Sequence, residues 1–162
     1  MKEASTGSNK KNLNERGAGI LLHISSLPSP FGTGDLGPEA RNFLKFLKAS
    51  GQKYWQILPL NPTGEGQGYS PYSAISSMAG NTLFISPELL QYEGLIEEWE
   101  LNIYTHKIHP EADFLHAETV RERIFNIVYA RFNENKVSIL QQHFREFCKQ
   151  EDYWLTDFVL YV

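Results

Sequence analysis

The stretch GYSPYSAISSMAGN, residues 68–81, gathers two tyrosines and four serines in one short segment. A flat tyrosine ring can cover the apolar face that axial hydrogens give a pyranose. Hydroxyls and amides can then satisfy the sugar's own hydroxyl groups. Asn81 and the backbone near Gly80 offer further partners of this kind. The same residues also suit a purely structural loop, with Tyr72 packed into a core and the serines capping turns. Composition alone leaves both readings open.

Other residues capable of chemistry form weaker patterns. Glycoside chemistry needs two carboxylates flanking a sugar ring. Asp35 and Glu65 lie in the two loops richest in glycine. Asp35 stands just before a helix start, where a turn or capping role is expected, and Glu65 lies in TGEGQG, where a solvated side chain is expected. Neither is assigned as catalytic. The pair His106 and His109 in HKIH lies in a segment with no helical pattern, and the five histidines show no ligand spacing that defines a metal site. GTGDLG at 32–37 follows an apolar run and precedes a helix, yet its spacing departs from G-x-G-x-x-G and no P-loop lysine is placed near it. These glycines are expected to turn the chain. SSLPS and SPYS lack the strand-turn-helix elbow of a serine hydrolase.

These loops must be positioned by regular elements. GILLHI, Gly19 to Ile24, is a continuous apolar run, which suits a strand buried on both faces. PEARNFLKFLKAS then reads as a helix. Pro38 fits its first turn, Ala40, Phe43, Leu44 and Leu47 share a face, and Gly51 is placed as the C′ residue. KYWQILPL, 53–60, is a second apolar strand. Strand, helix and strand make a βαβ unit, whose parallel pair places the loops 25–37 and 59–82 at the carboxyl end, where α/β folds bind ligands. Beyond Asn81, TLFIS predicts a short strand and PELLQYEGLI a short helix ended by Gly94. Residues 97–113 are expected to be irregular. Helices are predicted from His116 to Asn133, with Val120, Ile124, Ile127, Val128 and Phe132 on one face, and from Lys136 to Lys149, with Ile139, Leu140, Phe144 and Phe147 inward. A third begins near Glu151.

Composition bounds the function class. The chain has 162 residues, 41% hydrophobic and 21% charged, with a net charge of -4. This matches a globular protein and gives no basic footprint for nucleic acid or an anionic membrane. No apolar run reaches the ~18 residues of a membrane span. Residues 1–16 are polar, lack the apolar core of a secretory signal and are expected to form a disordered tail. One cysteine, Cys148, fits a reducing compartment, and a cytoplasmic location is expected. Two strands followed by three helices, closing on the apolar LTDFVLYV, read as the front of something larger.

Taken in order, GILLHISSLPSPFGTGDLG, YWQILPLNPTG and SPYSAISSMAGN resemble the amino-terminal part of 4-α-glucanotransferases, the amylomaltases or disproportionating enzymes. WLTDFVLYV is similar to the family's W-L-x-D-Y-A-L-F segment. The resemblance implies an α/β fold, the amino-terminal part of a (β/α)8 barrel with an inserted helical subdomain, incomplete in this chain. Residues 17–86 would hold the first βαβ unit with its substrate loops, and 87–162 the helical insertion. It implies a retaining transfer of α-1,4-glucan segments with no cofactor, and a maltodextrin substrate. Ser70 and Tyr72 match positions that contact the donor sugar, while His23, Gln56 and Asn81 lie in matched segments that shape the pocket. GEGQGY is longer than in some members, and an aromatic that some carry there aligns nearer Glu65. The family's nucleophile, acid/base and third carboxylate come from later strands, so the chain alone is expected to be inactive. A non-catalytic glycan-binding remnant is the alternative.

Overall fold

The computed structural model describes residues 16–134 and 139–162. The expected tail over 1–16 therefore lies outside the described residues except for Arg16, as do the first positions, 136–138, of the helix expected from Lys136.

Strand β1 (Gly19–Leu21) and strand β2 (Tyr54–Gln56) pair in parallel, with Gly19 opposite Tyr54 and Leu21 opposite Gln56. Helix α1 (Pro38–Ala49) connects them. The strands are shorter than the apolar runs suggested, and they are not buried on both faces: Leu21 is 58% and Tyr54 46% exposed. The ladder runs only a little further, through Leu22 N–H to the Gln56 carbonyl at 3.0 Å. After it, β1 gives way to a 3-10 turn at Ile24–Ser26. Two strands cover one another only at their shared edge, so the apolar runs find no second layer among the described residues.

Helix α1 follows its sequence signals. Pro38 opens it, and Gly51, at φ 69°, closes it in a Schellman motif: Gly51 N–H reaches the Lys48 carbonyl and Gln52 N–H the Leu47 carbonyl. Ala40 and Leu47 are buried, whereas Leu44 stays exposed. Phe43 meets Trp55 edge-on, with ring centroids 4.9 Å apart, which seats the helix on β2.

Helix α2 (Pro87–Tyr92) is ended at Gly94 as expected. TLFIS is not a strand but a 3-10 turn, Thr82–Phe84, because the Asn81 side chain caps it by accepting from Leu83 N–H. The segment 97–113 is not wholly irregular either. Helix α3 (Glu98–Asn102) forms there behind a capping box in which Glu97 and Glu100 satisfy each other's backbone N–H. Helix α4 (Phe114–Glu134) is the longest element, followed by α5 (Ile139–Gln150) and α6 (Asp152–Tyr161). Ile139, Phe144 and Phe147, expected to face inward from α5, are exposed, and neither α5 nor α6 buries a residue.

The main core therefore lies among the helices and not against the sheet. Phe31, Ile96, Leu101, Val120 and Ile124 form it. Phe31 comes from the loop after β1, so this loop is plugged into the helical layer; burying such a ring contributes about 1.5–3 kcal/mol. Next to it, Gly32 (φ 90°) lets the backbone run close to α4, where a Cβ would come within 2.7 Å of the Asp113 carbonyl oxygen.

Arg121 of α4 locks the arrangement. Its guanidinium is 1% exposed and donates to the Phe31 carbonyl (2.9 Å), the Thr33 carbonyl (3.1 Å) and Asp35 Oδ2 (3.1 Å). Asp35, 7% exposed, also accepts from Gly37 N–H at 2.9 Å. Glu100 and Arg131 form a second, bidentate pair (2.6 and 2.9 Å) that ties α3 to α4.

Two outcomes follow from the buried pair. Arg121→Leu strands the Asp35 carboxyl and two loop carbonyls, so a loss of about 3–5 kcal/mol is expected in urea unfolding. Burial pushes Asp35 from the ordinary 3.8 up to about 6, Glu88 adds to this, and Arg121 and Gly37 N–H oppose it. An acid whose folded pKa exceeds its unfolded value holds its proton more tightly when folded, so its contribution is complete below about pH 4 and declines through about pH 6. The stability of the protein relative to Asp35→Asn should fall across that window in thermal unfolding, and a rising difference would contradict it.

Candidate functional site

Both loops singled out by the sequence leave the carboxyl ends of the parallel strands. Gln56 closes β2 and is exposed, opposite Leu21. His23 follows β1 by two residues and is half-buried. Its ring meets Phe84 edge-on with centroids 5.3 Å apart, and its Nδ1 has no hydrogen-bond partner. Burial lowers its pKa, which favours a neutral imidazole. Trp55 Nε1 donates to the Leu22 carbonyl at 2.7 Å and fixes the backbone just before His23.

The second loop is tied shut at its base. Asn81 N–H donates to the Leu60 carbonyl (2.8 Å), Asn81 Nδ2 to Thr63 Oγ1 (3.0 Å), and Asn61 Nδ2 to the Ala79 carbonyl (3.4 Å). Asn81 is buried, and its amide is engaged in this tie and in capping the Thr82–Phe84 turn. Further out, the serines cap turns: Ser76 Oγ accepts from Met78 and Ala79 N–H, and Ser70 Oγ from Tyr72 N–H at 3.3 Å. Tyr72 is not in a core. It is 75% exposed, with Ser70 two residues before it.

Tyr69 behaves differently from Tyr72. Its ring stacks on Phe114 with centroids 4.6 Å apart, and its hydroxyl donates to Glu118 Oε2 at 2.9 Å. One tyrosine of the loop is thus anchored to α4 while the other is free to meet a ligand.

The remaining candidates resolve on the same geometry. Asp35 is occupied by Arg121 and cannot act as a nucleophile where it stands, and Glu65 is solvated on a 3-10 turn at Glu65–Gln67. Three of the six GTGDLG amides are spent within the protein, Gly34 N–H on the Ser25 carbonyl, Leu36 N–H on the Phe84 carbonyl and Gly37 N–H on Asp35, which fits the chain-turning role expected of these glycines. His106 and His116 pack edge to face at 4.5 Å and, with His109, line a hollow of ≈ 210 Å³. Among the described residues no group of three or more His, Cys, Asp or Glu side chains could hold a metal ion. None of the described helices is long and apolar enough to cross a membrane.

Arg121 and Tyr69 are the residues that sequence reasoning passed over. Arg121 carried a signal: it lies four residues after Ala117 and three before Ile124, so it occupies the apolar face of α4 itself.

Comparison with known proteins agrees with the geometry. A family profile described as 4-alpha-glucanotransferase matches residues 22–162. The chain is 42% identical over 154 residues to a 4-alpha-glucanotransferase of Aquifex aeolicus, covering 90% of this chain and 28% of that protein. It is 39% identical to one from Synechocystis, covering 93% and 29%. An amylomaltase from Streptococcus agalactiae, solved in complex with acarbose, superposes with a TM-score of 0.78 at 36% identity, covering 89% of this chain and 28% of that one. The chain thus spans little more than a quarter of the length of these relatives. With a profile match over most of its residues and a shared fold, the chain belongs to the 4-alpha-glucanotransferase family.

Proposed function

We propose that these residues form the donor-sugar wall of an enzyme that transfers α-1,4-glucan segments between maltodextrins, with β1 and β2 as the first strands of a (β/α)8 barrel. In a retaining transfer, a carboxylate attacks the anomeric carbon, a second carboxylic acid protonates the leaving oxygen, and the 4-hydroxyl of another glucan then displaces the enzyme. This chemistry needs no cofactor. The family resemblance assigns the reacting carboxylates to later strands, in the part of the relatives' length that this chain does not span, and Asp35, engaged in an ion pair, is not offered as one of them.

One observation carries the role of this chain. Tyr72 stands exposed beside Ser70 on a loop whose base is fixed, at the carboxyl end of a parallel pair. Its ring is available to a pyranose face and the Ser70 hydroxyl to a sugar hydroxyl. His23, neutral and half-buried, and Gln56 shape the floor at the strand ends, and Asn81 serves by holding the loop base. The relatives' shared name and the acarbose bound to the Streptococcus agalactiae amylomaltase support a glucan as the ligand. A cytoplasmic location is part of this reading and rests on the lone Cys148.

Maltotriose is the test substrate. The full-length enzyme is expected to release glucose together with longer maltodextrins, and the 162-residue chain alone to release neither; glucose from the chain alone would place the carboxylates here and overturn the assignment. In the full-length enzyme, Tyr72→Ala should lower kcat/KM about 10-fold, the equivalent of the ~1.4 kcal/mol lost with a ring contact. An unchanged value would remove Tyr72 from the donor wall. Maltodextrin binding without transfer would favour a glycan-binding protein.

A further inference from the structure

The backbone at Tyr69 is unusual. Its φ is 54°, and it is the one residue other than glycine with positive φ among the described residues. It follows Gly68, also at positive φ (59°), so two successive left-handed residues reverse the chain directly before Ser70. An aromatic L-residue occupies this region at a cost, and such a conformation persists only where its surroundings over-determine it. Here they do. The ring lies nearly parallel to Phe114 (15°), and the hydroxyl donates to Glu118 at 2.9 Å. Partial burial and then the Glu118 carboxylate push the phenol up to about 12, so it stays a donor across the neutral range. Phe114 and Glu118 are one turn apart at the start of α4 and present one face to the loop.

The turn that follows leans on this anchor. Tyr69 N–H donates to the Gly64 carbonyl (3.0 Å), Ser70 N–H to the Gln67 carbonyl (3.2 Å) and Ser73 N–H to the Ser70 carbonyl (3.1 Å). Each bond is local to the loop, whereas the Tyr69 side chain reaches 49 residues along the chain to Glu118. Ser70 and Tyr72 have no comparable tether: Ser70 bonds the loop's own backbone and Tyr72 is exposed.

We propose that Tyr69 is the positioning residue of the sugar-facing pair Ser70 and Tyr72, latched by Phe114 and Glu118 so that helix α4 sets where the donor sugar is met. This rests on the donor-wall reading. Tyr69 touches no substrate in this role; it acts through the backbone of the two residues after it.

The test uses the full-length enzyme with Tyr69→Gly, Tyr69→Phe, Glu118→Gln and Glu118→Leu. Tyr69→Gly keeps the backbone conformation without strain and deletes the latch. Its KM for maltotriose should rise about 5- to 10-fold with kcat within about twofold, roughly the 1–1.4 kcal/mol of that fold-change. Glu118→Gln retains an acceptor and should match the wild type, while Tyr69→Phe and Glu118→Leu should raise KM by similar amounts, with no further rise in the double variant. Hydrogen exchange at the Ser70 and Ser73 amides should quicken in Tyr69→Gly. A KM that stays at the wild-type value in Tyr69→Gly overturns the proposal, as does a fall in kcat alone, which marks a lost fraction of folded enzyme. Should the wild type transfer no glucan, the activity reading fails by itself, and calorimetric maltotriose affinities of the same variants decide the latch: weaker binding in Tyr69→Gly supports it, and equal or absent binding overturns it.

Discussion

The loop after β1 depends on one guanidinium. Between Leu27 and Gly37 the chain has no regular element, so its carbonyls need donors from elsewhere. Arg121 supplies them from α4 to Phe31 and Thr33 and pairs with Asp35, two residues further on. A lysine could not serve, because one ammonium lacks the planar fork that reaches three oxygens at once. A buried ion pair adds little net stability after its desolvation, yet it admits few alternatives. The seat of Phe31 in the helical core and the close run of Gly32 past Asp113 and Ala117 both lie within reach of this clamp.

The second loop obeys the same logic with different chemistry. Its base is tied by amide side chains and its outer part by a stacked tyrosine, and again the distant anchor is α4. The two loops at the carboxyl end of the sheet are thus placed mainly by a helix that begins only at Phe114, far along the chain from β1 and β2, with the short ladder supplying their points of departure. The helical layer has a positioning role as well as a packing one, and Glu100 with Arg131 extends it by holding α3 against α4.

Much of this was legible where the cause is local. Pro38, Gly51 and Gly94 mark helix ends because capping is decided within a few residues. The order of β1, α1 and β2 was readable from apolar runs and helical spacing. Burial of those strands was not, since a run of apolar residues shows what can be covered but not what covers it. The helix at Glu98–Asn102 escaped because its capping box uses Glu97 where Ser or Thr is usual. Of the site, the tyrosine–serine loop stood out by composition. Which tyrosine is anchored and which is free depends on a partner 49 residues away, and no spacing rule reaches that far.

The tied base of the second loop has a consequence for how this segment can vary. Because Asn61, Thr63, Ala79 and Asn81 fix its two ends together, an insertion between Gly64 and Gly68 need not disturb β2 or the Thr82–Phe84 turn. Closure entropy grows only logarithmically with length, so one extra residue in a loop of this size costs just a few hundredths of a kcal/mol by that relation, about an order of magnitude below thermal energy. In closure entropy, length at this tip is therefore nearly free, and the cost of an insertion lies in the local bonds it displaces, such as Tyr69 N–H to the Gly64 carbonyl. The segment can change in length there while the Asn61, Thr63, Ala79 and Asn81 tie keeps β2 and the Thr82–Phe84 turn in register.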